Sequence, residues 1–433
     1  MIIRRFLSRF VGSVGGGSSE QELHNRRLLY AEVALAGVMG GIISFNATFA
    51  LRLGASKEWI ALLNSVPALV AALFSIPTAM FVQRRLHRER WLFGSLLVMR
   101  VGYGFVALIP LIFGAHAAQA LVIWIILLNF PSIFFINGFQ ALLAELVPPE
   151  RRAQVFARRT MLWSGLVVVT TSLSGQWLDQ IPTPLNFMLL YAFGTITALG
   201  SSAVLSKLKV PPRKTTMIAL PKKNHKGAAP ATVALPVIEK AKLTRPVLNM
   251  LFNTGVYQFG LWLSLPLFAV YYVDILKLSN GWIGFNSAMG SFGVILGNFL
   301  WERLYRGHTF AWGLRRAMLI TWTFPVLIAL FPHATLILLF NLFVNLGHPG
   351  VDLASVNIMM RLGTDENRTL YMSWYNTVIN VSAFIAPLLG VWLAEVWGIP
   401  TVFLIAGAVR LIGGFLFTVN RVEKPEPQTA AAA

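Results

Sequence analysis

Long apolar runs separated by short polar breaks recur along nearly the whole chain. A helix needs roughly 20 mostly apolar residues to cross the hydrocarbon core of a bilayer. Twelve runs meet that length: 28–53, 59–81, 91–113, 119–145, 160–179, 185–206, 247–273, 281–304, 311–331, 335–361, 374–395 and 400–419. The strands of a membrane barrel would alternate apolar and polar positions, and these runs do not. The pattern predicts an all-α membrane protein with twelve transmembrane helices, called here the first to twelfth spans.

The spacing changes once. Residues 207–246 include KLKVPPRKTTMIALPKKNHKGAAPATVALP, rich in Lys, Pro and Ala and without a spanning run, which reads as a flexible linker. It separates an N-terminal tail (1–27) and a six-helix bundle (28–206) from a second six-helix bundle (247–420) and a C-terminal tail (421–433). The halves echo each other. Glu150-Arg151-Arg152 after the fourth span matches Glu366-Asn367-Arg368 after the tenth. Gly175-Gln176-Trp177-Leu178 in the fifth matches Gly390-Val391-Trp392-Leu393 in the eleventh at nearly the same offset, as an internal duplication would produce.

Composition agrees with a bilayer protein: 56% of residues are hydrophobic and 12% charged, against about 25% charged in an average soluble domain. The net charge of +19 matters through its placement. QRRLHRER (83–90), PPERRAQVFARR (148–159), the 207–246 segment, Arg315-Arg316 and RLGTDENR (361–368) hold the Lys and Arg, whereas the alternate loops hold almost none. That is the positive-inside pattern. It predicts cytoplasmic termini, basic loops against the anionic inner leaflet of the cell membrane, and no role for nucleic acid. The N-terminal segment has no apolar core of signal-peptide length, so the first span is expected to act as an uncleaved insertion signal.

Several chemistries are excluded. The chain has no Cys, so disulfides, thiolate catalysis and Cys-ligated metals are ruled out, and no metal or cofactor is expected. The phosphate-cradling G-x-x-x-x-G-K-[ST] loop is absent, as are H-E-x-x-H and G-x-S-x-G. An ATP-driven pump and an intramembrane hydrolase therefore lack their machinery. An enzyme is not expected.

The six-plus-six layout, the basic central loop and LLAELVPPERRAQVFARR after the fourth span resemble the major facilitator superfamily of transporters. The resemblance covers nearly the whole chain. It implies two bundles around a cavity lined by the first, fourth, seventh and tenth spans, with solute moved by alternating access. The family's Gly-x-x-x-Asp-Arg-x-Gly-Arg-Arg loop survives only in part between the second and third spans. Arg84 is kept, but Gln83 stands at the acid and Leu86 at a glycine; the second-half copy keeps Glu302-Arg303. By resemblance, Gln83, Arg84, Glu302, Arg303, Arg152 and Arg368 are gating-loop candidates.

Polar groups within spans are costly unless they find partners or line water, so their positions indicate a pathway. In the tenth span Asn341, Asn345, His348, Asp352 and Ser355 fall on one helical face. Pro349 with Gly347 and Gly350 predicts a kink or break there, which either bends the helix only or frees backbone groups for a solute or ion. Asp352 and His348, one turn apart, are the proton-coupling candidates, with a static ion pair as the alternative. Glu32 is a further coupling candidate or else an interfacial salt bridge to a loop arginine.

Asn46, Asn129, Asn137, Gln140, Asn253, Tyr257, Gln258 and Asn345 are substrate-binding candidates, or interhelical glue. Arg100 and Arg410, near mid-membrane, either counter Asp352 or Glu32, bind an anionic solute, or satisfy carbonyls in helix packing. Gly290, Gly293 and Gly297 in the eighth span predict a close helix contact. The expected protein is a monomeric secondary active transporter of a small organic solute, polar and neutral or zwitterionic rather than strongly cationic, and proton-coupled. A facilitative uniporter and a non-transporting receptor or assembly factor are the alternatives.

Overall fold

A computed structural model describes residues 20–83, 85, 88–209, 244–363, 367–420 and 422, excluding the side chains of residues 79, 83, 137, 140, 141, 144, 145, 149, 150, 153 and 369. The secondary structure of the described residues is helical, with no strand among them. The first bundle consists of Glu20–Ile43 with Asn46–Arg52 (first span), Lys57–Gln83, Arg88–Val106, Ala117–Leu146, Pro149–Leu178 and Leu185–Leu205. The second consists of Arg245–Val270, Asn280–Leu304, Phe310–Thr321 with Thr323–Leu330 (ninth span), Ala334–Asn345 with His348–Leu362 (tenth span), Arg368–Trp397 and Ile399–Val419. Among the described residues ten stretches are long and apolar enough to cross a membrane by length and composition alone. The third and fifth spans fall short because Arg88, Glu89, Arg90 and Arg100 charge one, and Thr170, Thr171, Ser174 and Gln176 dilute the other.

Some boundaries differ from the hydropathy reading, each for a local reason. The helix of the first span reaches back to Glu20 at least, inside the expected tail, and Asn25 ties this part to the end of the bundle. Its amide donates to the Lys209 carbonyl at 2.9 Å and accepts the Lys209 N–H at 3.0 Å. The basic stretch 149–159, expected to be a loop, is the start of the fifth span, with Pro149 at the first helical position, where its missing N–H costs nothing. The tenth span breaks at Leu346-Gly347, with Pro349 in the first turn of the second segment. Further breaks occur at Ser44-Phe45 and Trp322. The seventh span closes in a single π-helical turn, Tyr271–Ile275.

The first span packs on the fifth and sixth, the seventh on the eleventh and twelfth, and the eighth on the tenth. Between bundles the fifth span lies against the eighth and the second against the eleventh. The buried apolar residues form three groups. At the end away from the basic loops, one core runs through both bundles and includes Phe45, Ile60, Leu121, Tyr191, Leu263, Ile328 and Phe403. Toward the basic end it is replaced by two separate cores, Leu29, Leu92, Leu142 and Leu205 in the first bundle and Met250, Leu314, Ala354 and Ile358 in the second. Among the described residues the bundles share an interior at one end only.

Candidate functional site

The tenth-span stripe opens onto a cavity of about 360 Å³ inside the second bundle. Asn341, Asn345 and His348 line it from the tenth span, Asn286 from the eighth and Arg410 from the twelfth. The amides form a directed chain. Asn345 Nδ2 donates to Asn341 Oδ1 at 2.7 Å, and Asn341 Nδ2 donates to the Asn286 carbonyl at 2.7 Å and to its Oδ1 at 3.0 Å. Because each NH₂ points at the next residue, the chain fixes the orientation of the amides along the cavity wall.

Arg410 is 2% exposed. Its Nη2 donates to the Tyr257 hydroxyl at 3.2 Å, its guanidinium carbon lies 5.4 Å from the Tyr257 ring centroid, and its Nε has no partner. Tyr257 in turn meets Thr321 Oγ1 at 2.5 Å. Glycines bring these helices together: a Cβ at Gly260 would lie 2.8 Å from the Arg410 backbone nitrogen, and one at Gly413 2.6 Å from that of Tyr257. Tyr257, expected to meet substrate, is enclosed between helices and touches the cavity-lining Arg410.

The carbonyls at the tenth-span break are already taken. Trp301 Nε1 donates to the Leu346 carbonyl at 2.8 Å, and the Tyr305 hydroxyl to that of Gly350 at 2.6 Å. The eighth span approaches closely because Gly293 and Gly297 face it: an added Cβ would lie 2.7 Å from the Leu342 oxygen or 2.6 Å from the Leu346 oxygen. The glycine seam does what its spacing predicts. The break itself offers Leu346 and Gly350 to two aromatic side chains rather than to a ligand.

Asp352 and His348 are not joined by a hydrogen bond, and neither makes an ion pair with the described residues. His348 lines the cavity, while Asp352 is exposed one turn on, near Tyr375 of the eleventh span. The static ion pair considered for them is therefore absent among the described residues.

In the first bundle Glu32 lies about three helical turns into the first span and is 2% exposed. Its Oε1 lies 3.4 Å from Arg100 Nη2 and its Oε2 2.5 Å from Arg159 Nη2. Arg100 also donates to Ser201 Oγ at 2.8 Å and Ser202 Oγ at 2.6 Å. Arg100 is thus a counter-charge to Glu32, not to Asp352. Arg159 and the Ser201-Ser202 pair are members that sequence reasoning passed over: the first looked like a loop residue, the serines like ordinary small residues of an apolar helix.

The remaining candidates scatter. Asn46 accepts the Tyr191 hydroxyl at 2.5 Å inside the first bundle. Asn129 donates back to its own helix at Ile125, Asn253 accepts from Asn420 at 2.9 Å, and Gln258 is half-buried. The side chains of Asn137, Gln140 and Gln83, and the whole of Arg84, lie outside the described residues. Glu302 pairs with Arg306 at 2.7 Å on the surface rather than with Arg303. Arg152 and Arg368, at matching places in the two halves, each donate from Nε to a carbonyl of the preceding span, Val147 at 3.0 Å and Met360 at 3.2 Å.

Polar contacts between the bundles gather at the end away from the basic loops. Asp179, closing the fifth span, accepts the N–H of Asn280 at 2.8 Å and of Gly281 at 2.7 Å. A carboxylate at a helix N-terminus meets unpaired donors and the positive end of the dipole. Arg52 donates to the Leu278 carbonyl at 2.8 Å, and Lys57 pairs with Glu395 at 3.5 Å. Beside them Gly175 and Gly284 face each other, and a Cβ on Gly284 would lie 2.5 Å from the Thr171 oxygen. Sequence reading missed these contacts, although Arg52 at the end of the first span and Lys57 just beyond it stand out at an otherwise basic-poor end.

Two six-helix bundles joined at one end, with a cavity inside the second, are the architecture of a multi-pass membrane transporter rather than an enzyme. The Major Facilitator Superfamily model matches residues 29–306 and 250–433, and the chain belongs to that family. Among solved structures, a bacterial homologue of the iron transporter ferroportin, inward-facing, has a TM-score of 0.68 at 14% identity, over 93% of this chain and 99% of that one. A bacterial homologue of the human lysosomal transporter Spinster, inward-facing and occupied, has 0.67 at 13% identity, over 93% and 97%. A nucleoside transporter has 0.67 at 10% identity, over 93% and 100%. At these identities the likeness concerns the fold alone. No curated protein matches the sequence significantly.

Proposed function

We propose that this chain is a secondary active transporter carrying a small organic solute across the cell membrane by alternating access, as a monomer with both termini and the basic loops in the cytoplasm. The observation that carries the reading is the divided core: one apolar interior shared by both bundles at the basic-poor end, two separate interiors at the basic end. A molecule so built is latched on one side while its halves can part on the other. The placement of Lys and Arg supports the basic end as the cytoplasmic one.

Proton coupling is assigned to Asp352, an exposed acid in the tenth span with no ion pair among the described residues. Moving such a group between wet and dry surroundings changes the cost of its charge, so a change of state can take up and release a proton. His348, which lines the cavity beside it, would sense the same change. The test is uptake of a broad solute panel by proteoliposomes with and without an imposed pH gradient. Wild type should show saturable, gradient-driven accumulation; Asp352→Asn should keep downhill exchange and lose accumulation. Full accumulation by Asp352→Asn would end the coupling assignment. Saturable flux without proton movement would identify a uniporter, and the absence of any saturable flux a non-transporting receptor.

A further inference from the structure

The cavity of the second bundle contains a cation with no anion beside it. Arg410 is 98% buried by its 2% exposure, and its one hydrogen bond among the described residues goes to the neutral Tyr257 hydroxyl. Its Nε is buried without a partner, and no carboxylate of the described residues lies within salt-bridge distance of it. The contrast within the same molecule is informative. Arg100, equally deep in the first bundle at 3% exposure, has Glu32 at 3.4 Å and two serine hydroxyls. A buried guanidinium without a counter-ion is costly in a low-dielectric interior, and Arg410 has been left that way at a cavity wall.

We infer that this cavity is a binding site for a carboxylate group, received by Arg410, and that the transported solute is a small organic acid or a zwitterion bearing one. The inference deepens the transport reading and rests on it only for the word "transported". The guanidinium is a planar fork matched to carboxylate oxygens. Its supports fix its place: Thr321 Oγ1 donates to the Met318 carbonyl and so accepts from Tyr257, leaving the Tyr257 oxygen to accept from Arg410. Gly260 lets the seventh span close over the arginine stem. The rest of the lining suits the remainder of such a solute. Asn345 has committed its NH₂ to Asn341, which leaves its carbonyl oxygen for a hydroxyl or amino group. Leu261, Leu265 and Phe268 supply the apolar wall. A volume of about 360 Å³ lies within the roughly 300–1,000 Å³ range of small-molecule sites.

The test uses the full chain in lipid nanodiscs, with thermal stabilisation and equilibrium binding measured for a broad panel of small carboxylic acids, each paired with its neutral amide. Inorganic phosphate and sulfate, and nanodiscs rich in anionic lipid, serve as the other sources of negative charge. Acids that bind while their amides do not are expected. Arg410→Gln should weaken that binding at least about tenfold, the loss of a charge-assisted hydrogen bond, and Arg410→Lys should keep part of it. Amides binding as well as acids, unchanged binding in Arg410→Gln, or no acid binding at all would each overturn the inference. So would protection by inorganic anions or anionic lipid alone. If Arg410→Gln does not fold, the acid–amide comparison on wild type and Arg410→Lys decides. Flux of the same solutes separates the two readings. Acids that bind Arg410 without crossing would leave the site standing and remove transport; a neutral solute that crosses while no acid binds would do the reverse.

Discussion

Asp179 Oδ2 of the fifth span accepts the backbone N–H of Gly281 in the eighth at 2.7 Å, and its other oxygen accepts that of Asn280 at 2.8 Å. One side chain thus spans the two bundles and caps a helix of the opposite half. Asp179→Ala should loosen this end by about 1.5–3 kcal/mol, the scale of hydrogen bonds to a charged group. The absence of Cys makes the measurement simple. A Ser287→Cys reporter in the cavity should react faster with an impermeant maleimide from the basic-poor side in the Asp179→Ala background. An unchanged rate would show that the contact does not hold that side shut.

Among the described residues Glu32 is the one carboxylate that pairs with both Arg100 and Arg159. Glu32→Gln leaves two cations facing each other and should cost about 3–5 kcal/mol, the usual penalty for breaking a buried pair from one side. Adding Arg100→Met should recover part of the loss by removing one of those cations. Denaturant or thermal unfolding of the three variants in detergent checks the order; a double mutant less stable than Glu32→Gln would contradict it.

Two glycines of the spans make a matched pair of tests. Gly297→Ala pushes a Cβ to 2.6 Å from the Leu346 oxygen, where the break in the tenth span and its Trp301 bond must shift, at about 1–3 kcal/mol. Gly165→Ala, with nothing within 4 Å of its Cβ, should be neutral or slightly stabilising because Ala is the better helix former. Melting temperatures should therefore move apart; equal shifts would mean the seam is not close-packed.

Tyr257→Phe deletes the hydroxyl shared by Thr321 and Arg410 and should cost about 1–2 kcal/mol. Thr321→Val removes the other end of the same bond. If the two hydroxyls act as a unit, the double mutant will be less destabilised than the sum of the singles. Simple additivity in a double-mutant cycle would show them independent.

The fold was legible because the bilayer reads chain length and polarity directly, and twelve apolar runs leave few alternatives. Helix ends were less so where charged residues continue a helix beyond the apolar run, as at Pro149 and Glu20. In the site, the asparagines of the tenth span could be placed on one face from spacing alone. Spacing does not say which neighbour lies opposite. Asn46 shares a span with Glu32 yet meets Tyr191 of the sixth span, and Arg410 and Arg100, alike in sequence, differ only in what the fold sets beside them. The latch at Asp179 joins residues about a hundred positions apart through backbone N–H groups, which leave no mark in residue identity.

The fifth span is held at two points by different partners: Arg159 pairs with Glu32 of its own bundle, and Asp179 meets the eighth span of the other. Some 20 residues of unbroken helix separate these points, a rod of roughly 30 Å. The rod is anchored in one half and its tip rests on the other. One continuous helix therefore carries both the ion pair inside its own bundle and the contact with the other.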